Sequence, residues 1–361
     1  MEKHSGVFEA FYDFENLYGG YLLARRNKRF KPEVLSYSAH LEDNLIDAQN
    51  HLVWQDLIVN GLHQFYEYFP KVRLIHALPF RFRVINCAAY RVLWPIYSRS
   101  MYEHSYGSIP GMGQVKAVDQ LQKWLRLVRN KPDKWYIGKM DVKKFFFRVP
   151  VDVQLRELGK PLDDIKMMWF LETMIRCDGR AFGLPLEVSD PFDVDMVPGI
   201  GMQVGSLISQ MTANVVLTPV DHYIKRVLQA PYYIRYMDDM LILAPSKQQV
   251  WDIIGDTDDY LQESFQLQLN NKTAVRPAEQ GSEFIGKVVT ADKIHLRKES
   301  SLRMKRHLDY VREAYRVGDV PLEYAMSVIQ SYLGLLKHTS DDALRNKICE
   351  DFVLIRESAP D

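Results

Sequence analysis

Short apolar and aromatic runs broken by turn residues mark the middle of the chain, while helix-like stretches lie toward both ends, so strands are expected centrally and helices on either side. The run Pro231-Tyr-Tyr-Ile-Arg-Tyr-Met-Asp-Asp-Met-Leu-Ile-Leu-Ala244 reads as two short apolar strands, with Asp238 and Asp239 at the turn between them. Trp135-Tyr-Ile-Gly-Lys-Met-Asp141 reads as a strand that delivers Asp141 at its end, before a turn into a helix. A glycine-flanked turn, Gly201-Met-Gln-Val-Gly205, leads into a long apolar helix expected to run to about Leu228, with Pro219 as a kink. Residues 7–26, 34–67, 299–316 and 321–337 read as helices, and 177–204, rich in Gly, Pro and Asp, as a long loop. This mixture is that of an α/β (α+β) fold.

Buried strands that converge on carboxylates make a costly core unless the charge is neutralised or coordinates a cation. A hard divalent cation suits such oxygens. Taken singly, each feature has a plainer reading: Asp238 and Asp239 as a solvated turn, Asp141 as a helix N-cap, and the glycine turn as an ordinary loop-to-helix junction. Small residues at that turn also let another backbone approach, and helix N-terminal amides favour phosphate. The acidic residues Asp190, Asp193 and Asp195 in the long loop are expected to be solvated.

Composition narrows the classes. Of 361 residues 47% are hydrophobic, enough for one large or two to three small domains. Lys plus Arg and Asp plus Glu number 46 each, so any positive track for nucleic acid must be local. Arg25, Arg26, Lys28, Arg29 and Lys31 form one such cluster, readable as an RNA phosphate contact or as a solvated loop. Three widely spaced cysteines imply thiols in a reducing, cytoplasmic setting. No apolar stretch approaches membrane-spanning length, so no membrane partner is expected.

Taken together and in order, these segments resemble the reverse transcriptases. Asp141 matches the first catalytic aspartate, and Phe146, five residues on, the steric-gate position. Val204, Gly205 and Gln210 fall in the template- and nucleotide-contacting motif, and Tyr236 to Asp239 in the Tyr-x-Asp-Asp signature. Leu269-Asn-Asn-Lys272-Thr273 is similar to the palm motif whose lysine lies near the incoming triphosphate. Ser282-Glu-Phe284-Ile-Gly286 is similar to the primer-grip hairpin, and Arg81, Arg83 and Ser105 to Gly113 to the fingers motifs. The resemblance implies a right-hand polymerase: residues 1–134 as N-terminal helices and fingers, 135–290 as palm with part of the fingers, and 291–361 as helical thumb and tail. It further implies two Mg²⁺ ions on Asp141, Asp238 and Asp239, with Lys272, Arg81 and Arg83 near the nucleotide. Tyr236, Phe284, Gly286, Arg303 and Arg306 would lie along primer and template. The substrates implied are template RNA, a DNA or RNA primer, and dNTPs.

Within that family the chain is most similar to the enzymes of diversity-generating retroelements in bacteria and phages, on Val204-Gly205 and Ser209-Gln210. In those enzymes an aliphatic residue at this place goes with poor fidelity opposite template adenines. Gln203 stands where proline is more usual. A structured noncoding RNA and a small helical accessory protein are the partners this resemblance implies. Defence-associated bacterial reverse transcriptases share much of the architecture, and a noncatalytic RNA-binding scaffold is the reading of another class.

Overall fold

Helix α6 (Gln114–Arg129) illustrates how the sequence builds the elements. Ala117, Val118, Leu121, Trp124, Leu125 and Val128 are buried at three- and four-residue spacing, while the charged residues between them face outward. The computed structural model describes residues 3–67, 73–185, 188 and 194–356, and the bounds below refer to these. In chain order the helices are α1 (Val7–Tyr12), α2 (Phe14–Ala24), α3 (Pro32–Ala39), α4 (Leu41–Val53), α5 (Phe80–Tyr97), α6, α7 (Phe145–Arg148), α8 (Val151–Gly159), α9 (Ile165–Arg176), α10 (Leu207–His222), α11 (Lys247–Phe265), α12 (Lys298–Val317), α13 (Leu322–Leu336) and α14 (Asp342–Asp351). The strands are β1 (His63–Glu67), β2 (Arg73–Ala77), β3 (Tyr136–Asp141), β4 (Tyr232–Tyr236), β5 (Asp239–Ala244), β6 (Ala274–Pro277), β7 (Ser282–Phe284), β8 (Lys287–Val289) and β9 (Ile294–Leu296).

They form an antiparallel β1–β2 pair, a four-stranded sheet in the order β4-β5-β3-β6, and a three-stranded sheet β7-β8-β9. The described residues are thus a mixed α/β architecture. Two compact units emerge. One comprises Met1–Ser108, Asp141–Gln229 and Ile254–Lys272; the other comprises Ile109–Met140, Ala230–Ile253 and Thr273–Asp361. The first is organised around an aromatic core in which Phe11 packs on Phe170 with ring centroids 4.4 Å apart. In the second, Tyr232 of β4 lies between Trp124 and Trp135, and Met304, Leu308 and Leu336 join α12 to α13.

The N-terminal helices depart from expectation. Residues 7–26 break at Asp13, whose extended backbone ends α1 and whose carboxylate accepts the amides of Glu15 (3.0 Å) and Asn16 (3.3 Å) as the cap of α2. The expected helix over 34–67 is broken at His40 into α3 and α4 and ends at Val53. Gln55 and Gly61 take positive φ, and the aromatic run at 63–67 pairs with β2 as a strand. Elsewhere the pattern holds closely: α12 and α13 fall where helices were expected at 299–316 and 321–337. Helix α10 continues past His222 as a π-helical turn over Tyr223–Val227, downstream of Pro219, which lacks the amide that would bond the previous turn. Among the described residues of 177–204, regular structure is confined to isolated bridges such as Gly183 with Val197; Asp190 and Asp193 lie outside the described residues.

Cys87 and Cys177 are buried, and burial pushes both thiols up to about 11, so they act as small apolar residues. No helix among the described residues is long and apolar enough to cross a membrane.

Candidate active site

The β4–β5 hairpin follows from its sequence. Tyr233, Ile234, Leu241, Ile242 and Leu243 are buried, and the register pairs Tyr236 with Asp239, leaving Met237 and Asp238 as a two-residue turn. Met237 has φ 55, a left-handed conformation that a side chain of this size seldom adopts. The fully buried Arg235 donates from Nη1 to the Met237 carbonyl at 3.1 Å, which holds that turn from below. Asp238 and Asp239 are half-buried. Lys139 of β3 places Nζ 3.2 Å from Asp239 Oδ1, and the same nitrogen donates to the Glu283 carbonyl at 3.2 Å.

Strand β3 ends at Asp141, also half-buried. The following segment is tied to residues 268–270. Lys143 N–H donates to the Gln268 carbonyl (2.8 Å), and Asn270 N–H donates to the Asp141 carbonyl (2.7 Å). The Asn270 side-chain amide donates to Asp141 Oδ2 at 3.3 Å. Lys272 follows, its amide bonded to Asn270 Oδ1 at 3.2 Å. Lys144 adopts φ 53 and opens the short α7, in which Phe145 is buried while Phe146 is half-buried, edge-to-face with Phe145 at 5.5 Å.

The glycine turn is clamped from two sides. Met202 N–H donates to the Phe146 carbonyl (2.7 Å), and His76 N–H on β2 donates to the Val204 carbonyl (2.9 Å). Gly205 has φ 111, and a Cβ there would stand 3.3 Å from Ile75 Cγ2, so glycine suits both the backbone and the close approach of β2. Val204 and Gln210 are half-buried. The first amides of α10 are already satisfied. Asn86, buried, accepts from Ile208 N–H (3.0 Å) and donates to Ser206 Oγ (2.9 Å), and Ser206 caps Ser209 (3.4 Å). The expected phosphate affinity of this helix start is therefore taken up by side-chain caps.

His76 is fully buried against Phe182, with neither ring nitrogen hydrogen-bonded. Burial first, and the Arg180 charge second, push it down to about 4. Below its ordinary value of about 6.5 the unfolded chain takes up a proton that the folded chain refuses, so stability falls as pH drops from that value toward 4. Between pH 7 and 5 this one side chain is expected to cost about 2 kcal/mol. Denaturant titrations at the two pH values should show that loss in the natural chain and a smaller one in His76→Leu; equal losses would remove His76 as the cause.

The remaining residues singled out by sequence are placed as follows. Arg81, in the first turn of α5, is exposed and donates to Asn60 Oδ1 at 2.7 Å. Arg83 is ion-paired with Glu33 and lies over the Phe80 ring, so its guanidinium is engaged within the chain. Phe284 is fully buried on β7 and supports its hairpin from inside, while Gly286 takes the positive φ (75) that the β7–β8 turn requires. Arg303 pairs with Glu299 at 3.0 Å, and both line, with Arg297, Lys298 and Arg306, a basic groove of about 540 Å³. Arg25 stacks on Tyr21, whereas Arg26, Lys28, Arg29 and Lys31 are exposed. Sequence reasoning missed Asn270, Lys139 and Arg235. Their signal was present only as proximity: two residues before Lys272, two before Asp141, and three before Asp238.

The carboxylates and the amide oxygen of Asn270 are hard-oxygen donors, the chemistry Mg²⁺ takes. Asp141, Asp238, Asp239 and Asn270 are each half-buried, so each keeps some exposure through which an ion could approach. Among the described residues no group of three or more His, Cys, Asp or Glu is preassembled around a cation, and the Lys139 ammonium compensates Asp239 instead.

Comparison with known proteins bears on this arrangement. No curated protein matches the chain. Among solved structures it is similar to telomerase from Candida albicans in complex with a TWJ fragment of telomeric RNA, at 15% identity and a TM-score of 0.44, covering 81% of this chain and 57% of that one. It is also similar to apo telomerase from Candida tropicalis truncated from its C-terminal domain, at 12% identity and a TM-score of 0.45, covering 72% and 60%. The chain thus spans less than two thirds of either structure. The family model for reverse transcriptase (RNA-dependent DNA polymerase) matches residues 69–286, a stretch that contains β3, the glycine turn, the Tyr236-Met-Asp-Asp hairpin and the Asn270–Lys272 segment. With well over half of its length in that match, the chain belongs to the reverse transcriptase family.

Proposed function

We propose that the protein is an RNA-directed DNA polymerase that copies an RNA template from a primer 3′-hydroxyl by two-metal nucleotidyl transfer. The observation that carries this reading is the sheet order β4-β5-β3-β6, in which the strand ending at Asp141 neighbours the strand beginning at Asp239. Asp141 and Asp238 would hold two Mg²⁺ ions, with Asp239 as a supporting carboxylate. When bound, such ions activate the attacking hydroxyl and neutralise the leaving pyrophosphate. The chain's own part is positioning and charge. Asn270 orients the Asp141 carboxylate through its amide, and Lys139 holds Asp239. Lys272 supplies a positive charge or a proton to the leaving phosphate, and Arg81, exposed at the start of α5, reaches the triphosphate. Tyr236 packs near the primer end, and Arg303 and Arg306 in the basic groove hold the duplex backbone without reading its sequence.

The finer reading is an error-prone enzyme of a diversity-generating retroelement, supported by Val204 and Ser209-Gln210. An aliphatic side chain has no hydrogen bond to offer base or sugar, so it checks the pair less closely. A structured noncoding RNA and a basic helical accessory protein would complete the assembly, consistent with the chain's balanced charge.

Purified protein with template RNA, primer, Mg²⁺ and dNTPs should incorporate label; no incorporation on any primed RNA would end the polymerase reading. Phe146, half-buried beside the buried Phe145, stacks on the deoxyribose and excludes a 2′-hydroxyl. Phe146→Ala is expected to raise ribonucleotide use relative to deoxyribonucleotide use about tenfold or more. An unchanged ratio would take the gate away from this residue.

A further inference from the structure

Gln203 occupies a junction that the polymerase reading leaves unexplained. It is buried, at 3% exposure, and its Nε2 donates to the His76 carbonyl of β2 at 2.9 Å. The same residue of β2 gives its amide to the Val204 carbonyl at 2.9 Å. His76 thus bonds the turn twice, once through main chain and once through the Gln203 side chain. On the opposite side Met202 N–H is held by the Phe146 carbonyl at 2.7 Å, and Gly201 N–H by the Val149 carbonyl at 2.8 Å. Gln154, also buried, donates to the Gly201 carbonyl at 2.9 Å. The four residues 201–204 therefore form one taut link between the segment carrying Phe146 and strand β2, and every group named belongs to a single compact unit.

A side chain without a donor at 203 would leave the His76 carbonyl buried and unbonded. Proline, the residue more usual there, has neither a side-chain donor nor an amide. The link would then rest on the single Val204–His76 bond. Ile75 already stands within contact distance of where a Gly205 side chain would be, so β2 follows the turn closely and a shift in one is felt by the other.

We propose that Gln203 is a positioning residue for nucleotide selection: its amide, bonded to the His76 carbonyl, fixes the main chain at Val204 and Gly205 relative to Phe146. Gln203 touches no substrate and acts through Val204. The proposal rests on the reading that Val204 borders the nascent base pair and Phe146 the sugar.

The test compares the full-length natural chain with Gln203→Met, which keeps the volume but loses the donor, and Gln203→Glu, which turns an acceptor toward the carbonyl. Amide hydrogen exchange read by mass spectrometry reports the clamp without any catalysis. Exchange in peptides covering His76 and residues 203–206 should accelerate roughly three- to tenfold in Gln203→Met, with peptides elsewhere unchanged. Steady-state synthesis should show the dNTP KM raised by a similar factor, kcat changed by less than about twofold, and a shifted pattern of misincorporation across the four template bases. Gln203→Glu should move each quantity further in the same direction. A Gln203→Met chain with natural exchange, KM and error pattern overturns the proposal and leaves the polymerase reading standing. An equal fall in kcat with KM and error pattern unmoved also overturns it, because that marks a structural role only. Failure of the natural chain itself to synthesise DNA overturns the underlying reading instead, and the exchange arm still decides whether the clamp exists.

Discussion

Asp238→Asn is expected to abolish RNA-templated DNA synthesis, by about a thousandfold or more, while leaving the protein folded. Asparagine keeps the size and shape of the side chain but removes the negative charge. A neutral amide oxygen is a far weaker ligand for a hard cation than a carboxylate oxygen, and the developing charge of phosphoryl transfer then lacks its counter-ion. The turn itself should survive, because its geometry rests on the Arg235 bond to the Met237 carbonyl and on the buried strands of the hairpin. Primer extension and circular dichroism on the same preparation separate the two effects. Synthesis within tenfold of the natural chain would mean that Asp238 is not a metal ligand in catalysis. Asp239→Asn should be milder, since that residue supports the site and shares its charge with Lys139.

The second large effect is expected at Arg235. It is the bulkiest fully buried side chain in the described structure, and it lies directly beneath the turn that carries Asp238. Arg235→Met retains an unbranched side chain but takes away the donor to Met237. That carbonyl is then left without its guanidinium partner in a backbone held at φ 55. A lost charged hydrogen bond together with imperfect refilling of the volume should cost about 2–4 kcal/mol, read as a lowered urea midpoint at unchanged slope. Synthesis should fall with stability, because the carboxylates ride on the same turn. Arg235→Lys restores the charge but not the planar fork, and should recover only part of either loss. A midpoint within about 0.5 kcal/mol of the natural chain would show that the buried arginine is dispensable.

How much of this was legible in the sequence depends on whether the determinant was local. Whereas the hairpin around Gly286 was expected only through the family resemblance, the Tyr236–Asp239 turn and the strand ending at Asp141 were readable because apolar runs and turn residues act within a few positions. Helices α12 and α13 were readable for the same reason. Strand β1 was missed because its aromatic residues fit either period, and pairing with β2 decided the matter. The partners of charged residues were not legible at all. Arg83 finds Glu33, fifty positions away, and Lys139 finds Asp239, a hundred away. Asn270 reaches back to Asp141 across 129 positions. The helix start after Gly205 shows the same limit: its sequence suggested free amides for phosphate, but Asn86, distant in the chain, consumes one of them.

Asp141 and Asp239 are thus half-buried carboxylates, each held by a residue whose importance appears only in three dimensions. The polymerase reading commits Asp141 and Asp238 to the same pair of ions. A crystal structure of the protein with primed RNA, Mg²⁺ and a non-hydrolysable dNTP tests that commitment most directly. The predicted result is a carboxylate oxygen from Asp141 and one from Asp238 each within about 2.1 Å of a shared Mg²⁺, with Asp239 alongside. Nucleotide bound elsewhere, or the two aspartates coordinating nothing in common, would contradict it.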